Sequence, residues 1–219
     1  CIYIYASNNG KYTSLLEKNL NALRKNGYNG DIITLKGGFP NTKMGGLLHC
    51  HLPMSFKYAA MEEAKSLGYR YFLWVDSAVI SQKNIDYIFK EIEKSGVYVA
   101  GGWKLGNHFI IENGNMISRS PRLEILGSPE SYEAMGLDLE TAAHIPLAVG
   151  GVQGYDLHSE LGKAFLEKLK EYIDDVTPWM ALGADAVVHS VALHQIPFDI
   201  KYHALPFVGH DPTFIVEPH

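Results

Sequence analysis

Two carboxylates stand where a folded chain can put them to chemical use. The run YFLWVDSAV (71–79) is apolar up to Asp76, which presents a bare carboxylate followed by Ser77 and Ala78. An acid just past a strand can bind a ligand or cap its own turn through its side chain. Asp185, in GADAVVHSV (183–191), opens a helical pattern whose apolar positions Val187, Val188, Val191 and Ala192 face a core. The helix dipole favours a carboxylate there whether or not it has a further role. The stretch GGVQG (150–154) lets a ligand approach the backbone closely or marks a β-bulge, and Gln153 offers hydrogen bonds to a hydroxylated ligand. Lys57 lies in a helical pattern and can reach an anion or extend into solvent. Trp103 and Trp179 offer flat faces for sugar rings, whereas Trp74, inside the apolar run, reads as core. His49-Cys50-His51 has the spacing of metal ligands without a third partner nearby, and His210 in VGHDPTF is a ligand or the partner of Asp211.

The elements that must position these residues alternate. CIYIYA is a β-branched and aromatic strand, and after the turn-prone SNNG come Tyr12, Leu16, Leu20 and Leu23 at helical spacing, ended by Gly27. DIITL (31–35) is a second strand, and a glycine-rich loop leads to a helix over Met54 to Ser66. YRYFLWV is the third strand, Ser81 caps a helix carrying Ile85, Ile88, Phe89 and Ile92, Gly96 ends it, and VYVAG is the fourth strand. Strands that are apolar along their whole length, alternating with helices, predict an α/β fold with a mostly parallel central sheet and helices on both faces. The second half is mixed: a hairpin in HFIIENGNMIS turning at Asn113-Gly114, a glycine-broken strand in IPLAVGGVQGYDL, helices over Glu160 to Tyr172 and in GADAVVHSVALHQ, and a last strand near DIKYHAL. In open parallel sheets ligands bind beyond the carboxyl ends of the strands, which directs attention to residues 6–9, 36–38 and 76–78. None of these carries G-x-G-x-x-G or a P-loop.

At 219 residues and 47% hydrophobic, the chain suffices for one ample core. Its net charge of −5 and scattered basic residues argue against a nucleic-acid partner. Cys1 and Cys50 alone make no disulfide framework, so a reducing compartment is expected. No apolar run approaches the length of about 20 residues that a membrane span needs, so a soluble protein is expected. A chain that starts on a strand without Met reads as a piece cut from a longer protein.

The order ASNNGKY, MSFKYAAMEEAKSLGY leading into YFLWVD, then LAVGGVQGYD and GADAVVHSVALHQ resembles the GT-A fold glycosyltransferases, which use nucleotide sugars. The resemblance spans most of the chain and is to the retaining members, which carry a D-x-D, a later glycine pair and then an acid opening a helix. Within these it is similar to the rhamnosyltransferase domains that build chlorella-virus capsid glycans. The resemblance implies one GT-A domain over 1–219, with a nucleotide-binding half (1–102) and an acceptor and catalytic half (103–219). It implies transfer of a hexosyl unit, L-rhamnose, from a UDP-sugar to a carbohydrate acceptor with retention, in the cytoplasm of a virus-infected host cell. Ala6, Ser7 and Asn8 would then cradle uridine, Asp76 would border the ribose, Ser77 would join the donor-binding residues, and Lys57 would approach the phosphates. Gly150, Gly151, Gln153 and Trp179 would form the acceptor side, and Asp185 would lie beside the anomeric carbon as nucleophile or electrostatic stabiliser. A divalent ion, Mn2+ or Mg2+, would bridge the diphosphate with Asp76 and His210 as ligands. Ala78 stands where the second Asp of D-x-D belongs. The ion would therefore be weakly held and the chain impaired, and the intact flanks read as those of an Asp replaced by design or by natural loss. A sugar-phosphate nucleotidyltransferase, for which Gly10 and Lys11 make a sparse phosphate loop, and a non-catalytic sugar-nucleotide or glycan-binding module are the alternatives.

Overall fold

The computed structural model describes residues 1–40, 52–101, 109–112, 115–118, 126–181, 183–204, 206 and 212–217. Strand β1 (Ile2–Ala6) runs into helix α1 (Gly10–Lys25), whose first turn is capped by the Asn9 side chain accepting from the Tyr12 N–H. Strand β2 (Ile32–Lys36) follows, then a short 3-10 turn (Pro53–Ser55) feeding helix α2 (Phe56–Ser66). Strands β3 (Tyr71–Val75) and β4 (Val79–Ser81) lead to helix α3 (Asp86–Ser95), which Gly96 ends in the left-handed conformation, and to strand β5 (Val97–Gly101). Strands β6 (Phe109–Glu112) and β7 (Asn115–Ser118) pair as a hairpin, as the sequence predicts, around turn residues that lie outside the described ones. Two short helices, α4 (Pro129–Ala134) and α5 (Leu139–His144), precede strand β8 (Ala148–Asp156). Helix α6 (Glu160–Ile173), a 3-10 turn (Thr177–Trp179), helix α7 (Ala184–Gln195) and strands β9 (Tyr202–His203) and β10 (Phe214–Val216) complete the order.

Six strands form the central sheet in the order β2-β1-β3-β8-β5-β9. Five point the same way; β8 runs antiparallel to both of its neighbours. A strand from the second half of the chain therefore sits in the middle of a sheet begun by the first. Alternation along the strands sorts the core into two layers. Tyr3, Phe72, Trp74, Val99 and Tyr155 face α2, α6 and α7, while Ile2, Ile4, Leu73, Val75 and Val152 face α1 and α3. The mostly parallel sheet with helices on both faces is the predicted fold class. Among the described residues, no helix is long and apolar enough to cross a membrane.

Three local expectations change. Ser81 is the last residue of β4 rather than a helix cap, and its hydroxyl donates to the Lys83 carbonyl at 2.9 Å. Helix α3 begins five residues later, at Asp86, once Asn84 has folded back to accept from the Asp86 N–H at 2.7 Å. The segment near DIKYHAL contributes only the two-residue β9, and the last strand, β10, lies further on, antiparallel to β4.

Pairing between β5 and β8 breaks where Gly101 meets Leu147. Gly101 has φ +128°, and a methyl group there would stand 2.1 Å from the Leu147 carbonyl oxygen, whereas at Gly68 (φ +87°) it would meet nothing within 4 Å. Gly101→Ala is therefore expected to cost on the order of 2 kcal/mol or more in urea denaturation, and Gly68→Ala about 1 kcal/mol from backbone strain alone. Equal losses in the two variants would show that the close approach at Gly101 is not a constraint on the fold.

Candidate functional site

The carboxyl ends of β1 and β3 open into a cavity of about 260 Å³. Tyr5, Tyr12, Phe56 and Trp74 supply its aromatic wall, and Ser7, Asp76, Ser77 and Ala78 its remaining lining. The rings support one another: Tyr5 stacks on Phe56 with centroids 5.1 Å apart, and Phe56 leans on Trp74 at 5.3 Å. Asp76 is fixed from three directions. Its N–H donates to the Gly151 carbonyl at 2.9 Å, its own carbonyl accepts from the Val79 N–H at 2.9 Å, and its Oδ1 accepts from the Trp74 indole N–H at 2.6 Å.

Beside this cavity, Lys57 is buried with 2% of its surface exposed. Its Nζ donates to Asp185 Oδ2 at 2.5 Å and to the Gly150 carbonyl at 2.6 Å, and lies 5.3 Å from the centre of the Trp74 ring. Trp74 thus presents its electron-rich face to the ammonium and its N–H edge to the Asp76 carboxylate, which suits both signs of charge. Burial pulls the Lys57 ammonium down, but the charges of Asp185 and Asp76 outweigh it and hold the group above its ordinary value. For Asp185, burial pushes the carboxyl up, and the Lys57 charge and hydrogen bond more than reverse this, so it stays ionised below the usual carboxylate range.

The glycine pair lies between the two acids. A methyl group at Gly150 would stand 2.7 Å from Lys57 Nζ and 2.8 Å from Asp185 Oδ2, and one at Gly151 would stand 3.6 Å from Asp76 Oδ2. A side chain at residue 150 would thus have to displace the Lys57–Asp185 ion pair, a reason for glycine that the sequence alone did not supply.

Of the residues singled out in the sequence, the structure brings together Ser7, Lys57, Asp76, Ser77, Ala78, Gly150, Gly151 and Asp185. It leaves others apart. Ala6 is 1% exposed and engages Gly37 through its carbonyl, while Asn8 is exposed against Gly37 and absent from the cavity lining. Gln153 is 1% exposed, and its amide is taken up by Val149, Tyr155 and His189, so it presents nothing to a sugar hydroxyl. Trp179 is packed in the core with its indole N–H donated to the Tyr172 carbonyl at 2.8 Å, so it offers no stacking face. His210, Trp103 and the His49-Cys50-His51 triplet lie outside the described residues. Sequence reading missed His189, although its position four residues after Asp185 puts both on one face of α7. It also missed Tyr5 and Phe56, whose apolar rings carry no chemical signal of their own.

Among the described residues, no three His, Cys, Asp or Glu side chains come together as a metal site. A divalent ion wants about six oxygen donors, and here Asp76 contributes one carboxylate with an oxygen already accepting from Trp74, while Ala78 contributes a methyl group. These residues do not by themselves fit the ion that the D-x-D pattern implies.

No protein-family model and no curated protein matches the chain. Solved structures do. The apo structure of the bifunctional glycosyltransferase WbbM superposes with a TM-score of 0.50 at 9% identity, over 94% of this chain but only 38% of that one. A glycosyltransferase involved in glycosylation of the major capsid of PBCV-1 superposes with a TM-score of 0.52 at 13% identity, over 99% of this chain and 93% of that one. At such identities the likeness establishes a shared fold.

His189 carries a pH signature. Buried at 1% exposure, it is pulled by desolvation, and further by the Lys57 charge, down to about 3 from its ordinary 6.5. Unfolded chains take up this proton near pH 6.5 and the folded protein does not, so its contribution is complete above that pH and is lost as pH falls toward 3. Stability should decline by up to about 1.4 kcal/mol per pH unit for this one group between pH 6.5 and 4, and His189→Asn should reduce that slope by about one proton. Asp185, held down rather than up, gives way only below its ordinary 3.8 and leaves this window clear. Chemical denaturation across the pH range measures the slope, and identical slopes in the two proteins would place the acid sensitivity elsewhere.

Proposed function

We propose that this chain is a glycosyltransferase that moves a hexosyl unit from a UDP-sugar to a carbohydrate acceptor with retention of configuration. The observation that carries the reading is the convergence of Asp76 and Asp185 on the Gly150–Gly151 pair, beside an aromatic cavity at the carboxyl ends of β1 and β3. The fold shared with two solved glycosyltransferases supports it, as does the resemblance in motif order. On that resemblance the sugar is L-rhamnose.

Each residue then has a task its surroundings suit. The aromatic wall takes the flat base, and Asp76, anchored by Trp74, accepts from ribose hydroxyls. When the bond between the anomeric carbon and the diphosphate oxygen breaks, its electron pair leaves with the nucleotide and positive charge develops on the sugar. Asp185, kept ionised by Lys57, is a preorganised counter-charge for that cation. The acceptor hydroxyl attacks from the face the nucleotide leaves, and its proton passes to the departing phosphate oxygen. No step in this scheme runs through a metal ion.

UDP and UDP-hexoses should raise the melting temperature while GDP, ADP and NAD do not, since a ligand at 100 times its dissociation constant adds about 2.7 kcal/mol. Asp185→Asn should leave UDP affinity little changed and lower donor turnover by about 100-fold or more. A larger shift with NAD, or formation of UTP from UDP-sugar and pyrophosphate, would overturn the reading, and donor turnover that survives Asp185→Asn would remove that residue from the mechanism.

Ala78 supplies a separate test. Its methyl lines the cavity two residues past Asp76. UDP affinity should differ by less than about twofold between manganese and chelator in the present chain. Ala78→Asp should make affinity and donor cleavage respond to manganese, with a rate gain on the order of 10-fold to 1000-fold. Calorimetric titration of UDP into both proteins reads this directly, and matching metal responses would show that position 78 does not belong to a D-x-D.

A further inference from the structure

The glycine pair sits in a segment that β5 does not hold, although on the other side the Gly151 carbonyl accepts from the Asp76 N–H at 2.9 Å. Between the pairs Val99–Gln153 and Gly101–Ala148, β5 advances two residues while β8 covers five. The β8 residues between them form a bulge, and its two glycines have no side chains with which to pack. Yet the Gly150 carbonyl in this bulge must receive Lys57 at 2.6 Å, the contact that fixes the ammonium beside Asp185.

Side chains tie the bulge at both ends. At its start, the Ala148 N–H donates to Ser190 Oγ at 2.8 Å. Across it, Gln153 Nε2 donates to the Val149 carbonyl at 3.3 Å, a side-chain hydrogen bond closing the loop that pairing with β5 leaves open. Gln153 Oε1 then receives the Tyr155 hydroxyl at 3.3 Å and His189 Nδ1 at 2.7 Å. Because an amide oxygen only accepts, Nδ1 carries the hydrogen and Nε2 is left with a bare lone pair. That Nε2 is buried and has no partner among the described residues, an expense that a leucine packed against Phe165 would avoid. His189 and Ser190 follow Asp185 by four and five residues on α7, so the helix that carries the acid also grips the bulge.

We propose that Gln153 and His189 are positioning residues that hold the β8 bulge, and with it the Gly150 carbonyl, so that Lys57 is fixed between that carbonyl and Asp185. Their effect on turnover rests on the glycosyltransferase reading; their effect on the bulge does not. Neither residue touches substrate. Loosening the brace lets Lys57 and Asp185 drift from the geometry needed in the transition state, while the aromatic wall of the cavity, carried by β1, α1, α2 and β3, and the Trp74 hold on Asp76 are left as they were.

The test compares Gln153→Met, His189→Leu and His189→Asn with the parent, reading donor turnover, KM and amide hydrogen exchange at Gly150 and Gly151. Met keeps the length of Gln without its hydrogen bonds, and Asn can place an N–H where Nδ1 stood. In the Met and Leu variants turnover should fall about 10-fold or more with KM for the UDP-sugar within about twofold, and exchange at the two glycines should quicken by a similar factor relative to the rest of the sheet. His189→Asn should recover both to within about threefold of the parent. Unchanged exchange and turnover in the folded Met and Leu variants, or an Asn variant as deficient as Leu, would overturn the proposal. Should Gln153→Met fail to fold, the two His189 variants decide. If the parent turns over no nucleotide sugar, the functional reading falls and exchange at Gly150 and Gly151 alone judges the brace.

Discussion

A lysine ammonium removed from water must find negative charge and hydrogen-bond acceptors at close range, or it loses its proton. Lys57 meets that demand with one carboxylate, one carbonyl and one aromatic face, drawn from α7, β8 and β3 respectively. Breaking such a pair by removing one partner typically costs about 3–5 kcal/mol, because the charge left behind is stranded. Four elements distant in sequence are therefore obliged to meet at one nitrogen. The acceptor on β8 is a carbonyl of its bulge rather than of a regular ladder.

The same arrangement divides the labour of the two acids. Asp185 is enclosed and held ionised by a neighbour it cannot leave cheaply, which makes it a fixed counter-charge. Asp76 is only half-buried and shares its carboxylate with the Trp74 indole at the cavity mouth, so it remains able to meet a ligand. With a methyl group at residue 78, the cation that the described part of the site supplies beside Asp185 is Lys57.

How far this was legible in the sequence depended on which physics each residue obeys. Apolar strands alternating with helices made the sheet and its two covered faces readable, because burial imposes periodicity on sequence. Asp76, Asp185 and Lys57 were readable as chemistry, since charge is conspicuous in apolar surroundings. The contact between Lys57 and Asp185 was not, because it joins residues 128 positions apart. Gln153 and Trp179 were read as ligand-facing from residue type, and both are spent inside the fold: a buried amide or indole must first satisfy its own hydrogen bonds. His189 hid in an apolar helix where nothing but its spacing from Asp185 marked it.

The pairing of β10 with β4 has a consequence for the order in which the molecule can be completed. Val216 lies opposite Val79, and the Glu217 N–H donates to the Ala78 carbonyl at 2.9 Å, so the backbone at the cavity rim is finished by a strand more than 130 residues downstream. Contacts of such long sequence separation form late and carry the largest loop-closure cost. During synthesis on the ribosome, the sheet core from β1 to β5 can be assembled in part while β4 still presents an open edge. The backbone at the cavity rim takes its final shape only once residues 214–217 have emerged, so a segment made early waits on one made more than 130 residues later.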